Sequence, residues 1–427
     1  MVKSRVISGI DVGSSKVVSL IAQYDELEDK ISVTGVGTVP SKGVRKGQIV
    51  DIDEAASAVI ESVEQAERMA GYGIKSAYVN IGGGHIDSRN SNGVVAVADP
   101  SGEISGSDIE RVIDAARAVS LPESREILHV IPKEYKVDGE TQVKDPKGMS
   151  GVRLEVETHL ITGSVTAVKN IQKAVSEVGV RPQGLVFSGL ASSMAILSDT
   201  ERELGVVLVD IGAGTTSIVV YVEGSIAHSS VLPIGSKNVT NDIAAGLRVS
   251  LDSAEKIKVM LGERKKKSRT DENPEADELD LKAYGVEEGD RKVSEKTLAE
   301  GIIKPRLNEI LTMVGMNLAD SNVAGKTPSG IVLTGGGALC VGAVESARRM
   351  LSLPTRLGIP RGVSGLIDDV NTPVFASSVG LLIYAAQSHP DSKESWSPSR
   401  LISRFRGGLP VKGLIGRASE LFKKILP

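Results

Sequence analysis

Residues 6–24 read VISGIDVGSSKVVSLIAQY, and residues 206–224 read VVLVDIGAGTTSIVVYVEG. Each stretch runs an apolar strand into Asp, then Gly, then a turn of small residues, then a second apolar strand. Asp11 answers to Asp210 and Gly13 to Gly212, 199 residues apart. A supersecondary unit that recurs in this way implies two similar domains facing one another. Internal symmetry of this kind decides a fold more firmly than local propensity does.

The segments around these hairpins fit an α/β chain. Strands are expected at 5–10, 16–24 and 31–39, and an amphipathic helix at 51–71, opened by Asp and closed by Gly. Strand 77–81 runs into a Gly triplet, and a mixed stretch containing a helix at 107–119 and several short strands continues to about 159. A helix at 165–179, a strand at 182–188 and a helix near 190–198 precede the second hairpin. The 427 residues suffice for several structural units. With 50 Lys+Arg against 54 Asp+Glu, the net charge of −4 excludes a generally basic chain that coats nucleic acid. The single cysteine, Cys340, excludes a disulfide framework and a zinc finger, and the five histidines are scattered. No apolar run reaches the ~18 residues a bilayer span needs, and the start lacks a signal peptide's apolar stretch. The expectation is a cytoplasmic chain.

A phosphate needs several donors converging on it, and a tight turn of small residues aims successive backbone N–H groups inward. Gly13, Ser14 and Ser15 form one such turn, and Gly212, Ala213, Gly214, Thr215 and Thr216 form the other. Asp11 and Asp210, at the strand ends, would hold Mg2+ directly or through its waters, and Lys16 would add a cation near the phosphates. Asp210 is also placed to organise an attacking water. One such turn alone is as readily an ordinary hairpin; two in matching contexts point to a nucleotide. The stretch IVLTGGGAL at 331–339 ends a buried strand in Gly335, Gly336, Gly337 and Ala338. Backbone without Cβ atoms lets a flat base or ribose approach closely, although a strand-to-helix turn needing positive φ has the same composition. In the expected helix 251–262, Glu255 and Lys258 share a face and could reach ribose and base, or simply form a surface ion pair.

Two further stretches differ from the rest in composition. Residues 262–292 are dense in charge of both signs and read as a solvated, partly disordered insertion. After a polar linker, the segment from Trp396 holds seven basic residues and one acid, so the preceding 395 residues carry −10. On a helix, Val411, Leu414, Ile415, Ala418, Leu421, Phe422, Ile425 and Leu426 form one stripe, with Lys412, Arg417, Lys423 and Lys424 at its edges and on the polar side. An apolar face with cationic flanks is what interfacial binding to an anionic membrane requires. Each basic residue contributes about 1 kcal/mol at an anionic leaflet. The alternative is a terminal helix docked on the chain's own core. The polar linker, the basic polar side and the acidic body count against it.

Two phosphate turns and a GGGA motif in this order resemble the actin, Hsp70 and sugar-kinase superfamily. EILHVIPKEYKVDG (126–139), DPKGMSGVRLEVETHLITG (145–163), SGLASSMAIL (188–197), IGSKNVTNDIA (234–244), TGGGALCVGAVESARRML (334–351) and SSVGLLIYA (377–385) narrow the resemblance to FtsA, the bacterial actin relative of cell division. It covers 5–387 and the tail. It implies a duplicated, ribonuclease H-like two-lobed ATPase fold with an FtsA-type inserted subdomain. The implied division is a first-lobe core at 1–83, 160–190 and about 367–387; the insertion at 84–159; a second-lobe core at 191–237 and about 305–366; and a small second-lobe subdomain at 238–304. The linker is then 388–409 and the membrane helix 410–427. The resemblance places phosphates at Asp11–Lys16 and Asp210–Thr216 and adenosine at Gly335–Ala338, with Glu255 and Lys258 facing the nucleotide.

The same resemblance implies ATP with Mg2+ as cofactors. It also implies self-assembly into filaments, the FtsZ C-terminal peptide as partner on the small second-lobe subdomain, and later division proteins as further partners. The expected function is an adaptor with at most weak ATP hydrolysis, tethering FtsZ to the cytoplasmic face of the inner membrane at the septum. Rivals are another actin-like scaffold, for cell shape or pilus assembly, and a sugar-kinase-type phosphotransferase. The latter needs a base for a substrate hydroxyl, and no residue presents itself as one.

Overall fold

The computed structural model describes residues 4–267, 278–286, 292–366 apart from 322 and 324, and 370–388. The predicted membrane helix at 410–427, with Val411, Leu414, Ile415, Arg417, Leu421, Phe422, Lys423, Lys424, Ile425 and Leu426, lies outside the described residues.

Long runs of Val, Ile and Leu make the two hairpins strands covered on both faces. Strand Ser4–Val12 pairs antiparallel with Lys16–Asp25, and Val206–Ile211 with Thr216–Val222. Their registers coincide, Val12 opposite Val17 and Ile211 opposite Thr216. The turns coincide too: Gly13 N–H donates to the Lys16 carbonyl at 3.0 Å, and Gly212 N–H to the Thr215 carbonyl at 2.9 Å. The duplication read from the sequence therefore extends to individual hydrogen bonds.

Each hairpin organises a sheet of one topology. In the first, the strand order is Arg181–Phe187, Ser76–Ile81, Ser4–Val12, Lys16–Asp25, Lys30–Pro40 and Val363–Gly365. In the second it is Ser225–Leu232, Thr216–Val222, Val206–Ile211, Ile331–Thr334 and Thr355–Leu357. In both, the opening strand pairs antiparallel with its hairpin partner and parallel with the strand that returns through a helical crossover. Helix Ile52–Ala70 is capped as its sequence predicts, Asp51 accepting from Glu54 N–H and Gly71 closing it at φ 80°. It presses so closely on Lys30–Pro40 that a Cβ on Gly37 would lie 1.8 Å from the Ser62 carbonyl oxygen.

Between strands Ser76–Ile81 and Arg181–Phe187 the chain builds a separate four-stranded sheet, ordered Asp87–Ala96, Arg153–Ser164, Arg125–Val137 and Glu140–Val143. Helix Gly106–Arg117 covers it over a core that includes Ile104, Val112, Tyr135, Leu154 and Val156. The second lobe adds helices Lys237–Leu247, Leu251–Lys267, Lys304–Asp320 and Ala343–Leu351.

The charged stretch 262–292 departs from the expectation of a solvated insertion. Helix Leu251–Lys267 runs into it, strand Glu278–Asp280 pairs with Lys292–Ser294, and Leu279, Leu281 and Val286 are each 1% exposed in the second-lobe core. Three apolar anchors suffice to fix the described part of the stretch, and an average over its composition hides them.

Helices Ser188–Ile196 and Ala376–Gln387 join the lobes. They are rich in Ala, Ser and Gly, which allows near contact of backbones: a Cβ on Gly380 would fall 1.8 Å from the Ala191 carbonyl oxygen. The second of these helices lies on strand Ser4–Val12, while the first reaches the second-lobe sheet.

Candidate functional site

The symmetry of the two hairpins brings their turns face to face. A Cβ on Gly214 would stand 2.7 Å from Ser14 Oγ and 3.0 Å from Lys46 Cα, so only glycine permits this approach. Ser14 Oγ in turn accepts from Gly47 N–H at 2.8 Å. Behind the second turn, Ser236 N–H donates to the Gly212 carbonyl and Lys237 N–H to the Ala213 carbonyl, both at 2.9 Å. These bonds occupy both carbonyls. The Gly13 and Gly212 amides are spent within their own turns. Among the described residues, no hydrogen bond uses the turn amides of Ser14, Ser15, Ala213, Gly214 and Thr215. Thr216 is fully buried, and its hydroxyl donates to the Ile234 carbonyl at 2.9 Å, so that hydroxyl holds the turn together.

Asp11 and Asp210 stand at the ends of their strands, near enough for their charges to interact. Asn80 Nδ2 donates to Asp11 Oδ1 at 2.6 Å and Ser378 Oγ to its Oδ2 at 2.9 Å. Ser192 Oγ donates to Asp210 Oδ2 at 2.5 Å. Burial raises the Asp11 carboxyl above the usual range, against the Ser378 hydrogen bond and the nearby Lys16 charge. Asp210 is pushed up to about 6 by burial and by repulsion from Asp11, against the Ser192 hydrogen bond. Burial lowers Lys16 to about 8, and Asp11 opposes that shift. Its Nζ sits 3.5 Å from the centre of the Phe375 ring.

The glycine run packs against the second aspartate. Gly335 has φ 82°, and a Cβ there would come 2.3 Å from Asp210 Oδ1; one on Gly337 would come 2.3 Å from Ile211 Cγ2. These two positions need glycine to fit the loop against its own sheet. Gly336 is exposed and faces open space, and Ala338 is buried. Helix Leu251–Lys267 lies on this loop, where a Cβ on Gly262 would be 2.4 Å from the Leu339 carbonyl oxygen. Glu255 and Lys258 form their ion pair at 2.7 Å, with the two side chains 47% and 7% exposed. Lys258 also donates to Thr240 Oγ1 at 2.9 Å, and Thr240 donates to Glu255 Oε2 at 2.5 Å. The pair is thus a partly buried network behind the glycine loop, with Glu255 its accessible member. Burial pushes the Cys340 thiol up to about 11, which suits a packing residue.

Sequence reading missed Asn80, Ser192, Ser378 and Phe375. The signals were the Asn two residues before Gly82 of the triplet Gly82–Gly84, and the Ala-Ser-Ser repeated at 191–193 and 376–378. Among the described residues no group of three or more His, Cys, Asp or Glu could cage a metal ion. A cation here would be held by one or two carboxylates, water and phosphate, as Mg2+ usually is. The residues fit that role: Asp210 is a desolvated carboxylate with no cationic partner among the described residues.

Two sheets of one topology, related by duplication and meeting at facing Asp-Gly turns, define the actin-like ATPase fold. A family model described as "SHS2 domain inserted in FTSA" matches residues 83–162, and one described as "Cell division protein FtsA" matches 207–380. Relatives described as cell division protein FtsA come from Pseudomonas aeruginosa, 40% identical with 91% of each chain covered, and Escherichia coli K12, 36% identical over 90% of this chain and 91% of that one. The Borreliella burgdorferi relative is 39% identical over 96% of this chain and 98% of its own. The chain belongs to the FtsA family of cell-division proteins. The structure is similar to one described as the PilM-PilN type IV pilus biogenesis complex, at TM-score 0.62 and 17% identity, covering 90% of this chain and 99% of that one. At that identity the likeness concerns the fold. Among the described residues, no helix is long and apolar enough to cross a membrane.

Proposed function

We propose that the chain is an ATP-binding, self-assembling adaptor that tethers FtsZ filaments to the cytoplasmic face of the inner membrane at the septum. The observation that carries the nucleotide part is the meeting of the two turns, with Gly214 against Ser14 and Asp11 and Asp210 beneath them. Phosphates are held by the free amides of Ser14, Ser15, Ala213, Gly214 and Thr215, with Lys16 as counter-charge. Adenosine lies over Gly335–Ala338, Gly336 offering the open face and Glu255 the accessible carboxylate. Mg2+, when bound, would neutralise triphosphate charge beside Asp11 and Asp210.

The lobes proposed are 1–83 with 160–190 and about 367–387, and 191–237 with about 305–366. The insertion 84–159 and the small subdomain 238–304 are proposed as partner-binding units. Because the nucleotide bridges both lobes, it favours their closed arrangement by differential affinity, and closure favours assembly. The tail stripe from Val411 to Leu426 supports attachment to anionic lipid, and clustering of chains in a filament strengthens it. Family membership supports FtsZ and later division proteins as partners. The FtsZ part is tested with a labelled FtsZ C-terminal peptide titrated against the full-length chain. Saturable binding is expected, and no binding with or without ATP would remove the adaptor reading.

A further inference from the structure

Each of the two helices that join the lobes donates a serine hydroxyl hydrogen bond to one of the two strand-end aspartates. Helix Ser188–Ile196 directly follows strand Arg181–Phe187 of the first sheet, yet its Ser192 donates to Asp210 of the second lobe at 2.5 Å. Helix Ala376–Gln387 lies on the first sheet, and its Ser378 donates to Asp11 at 2.9 Å. Both serines are fully buried. Hydrogen bonds to a carboxylate are about twice as strong as neutral ones, so each fixes its partner's orientation.

The two carboxylates are held unequally. Asp11 accepts at both oxygens, from Asn80 at 2.6 Å and from Ser378 at 2.9 Å. The Asn80 amide cannot turn over, because its Oδ1 accepts from Val12 N–H at 2.7 Å. Lys16 lies close enough for its charge to act on Asp11. Asp210 accepts from Ser192 alone among the described residues, and its Oδ1 faces the bare Cα of Gly335. A buried anion without a cation is costly, so Asp210 is the carboxylate that lacks compensation.

We propose that Ser192 and Ser378 are positioning residues that divide the work of the two aspartates. Ser378, with Asn80, locks Asp11 as a fixed wall beside Lys16. Ser192 holds Asp210 by one oxygen and leaves the other for a divalent cation that enters with the nucleotide. The proposal rests on the nucleotide reading above.

ATP binding to the full-length chain, measured by calorimetry in EDTA and in saturating Mg2+, tests it, the ratio of the two affinities being the readout. Ser192→Ala should reduce that ratio about tenfold, the equivalent of one charge-assisted hydrogen bond. Ser378→Ala should weaken binding in both conditions and keep the ratio. Ser192→Thr, which retains the hydroxyl, should restore the ratio, and thermal unfolding without ligand checks that each variant folds. Equal changes of the ratio in the two alanine variants would overturn the division of work, as would a folded Thr variant that behaves like Ala. ATP binding that ignores Mg2+ in the unaltered chain would overturn it while leaving the nucleotide reading intact. No ATP binding in either condition would remove both.

Discussion

Gly335 shows how little freedom a single position in the cleft has. Its φ of 82° and the 2.3 Å approach of a Cβ to Asp210 Oδ1 both exclude a side chain. Gly335→Ala should cost about 1–3 kcal/mol from backbone strain alone. It should also displace the aspartate, weakening ATP binding measured by calorimetry more than it lowers the melting temperature. Unchanged ATP affinity would mean that the loop does not border the ligand. What the sequence made legible was local grouping, Asp, Gly and Ser following one another from a strand end into a turn. Asn80 and Ser378 act on Asp11 from 69 and 367 positions away, and only the sheet order brings them there. Glu255 and Lys258 were placed on the correct helix. Spacing alone could not show that Lys258 turns inward to Thr240.

Packing between elements carries a pH dependence. His129 accepts from Phe187 N–H at 3.0 Å, and His159 joins Asn90 and Ser229 at 2.8 Å each. Burial lowers them to about 4 and about 3, so both are neutral in the folded chain at pH 7. As pH falls through 6.5 the unfolded chain binds protons that the folded chain refuses. The stability that each histidine contributes is therefore complete above that value and declines towards pH 4, by on the order of 3 kcal/mol over the whole window, while the raised Asp11 and Asp210 carboxyls act in the opposite direction. Unfolding free energy measured from pH 7.5 to 4 in the unaltered chain and in His159→Gln isolates the histidine, since the carboxyls are common to both: the stability advantage of the unaltered chain should shrink as pH falls below 6.5, and a difference that stays constant with pH would contradict this. The stretch 262–292 offers a second test. Leu281 is 1% exposed, so Leu281→Ala should cost about 2–5 kcal/mol by chemical denaturation, whereas a solvated insertion would show almost none. Its anchors were invisible in composition because three apolar residues are few among many charges.

At the scale of the molecule, duplication was the most legible feature, since two hairpins of one pattern require two sheets of one topology. In the inserted subdomain the helix and several short strands were legible locally, but their assembly into one separate sheet came only through resemblance, because strand order is set by long-range pairing that local pattern does not display. The lobes meet over small residues: Gly380 against Ala191 leaves no room for a methyl group. Gly380→Ala should force the joining helices apart and lower the melting temperature by several degrees. The central claim is that this nucleotide-gated body holds FtsZ at a membrane through the stripe at 411–426. The most direct test is co-sedimentation with anionic liposomes in ATP and Mg2+, with FtsZ present, comparing the intact chain with one stopped after Gly408. The account predicts that the intact chain pellets and brings FtsZ with it, while the shortened chain does neither. Both chains remaining in the supernatant, or the intact chain pellet lacking FtsZ, would contradict it.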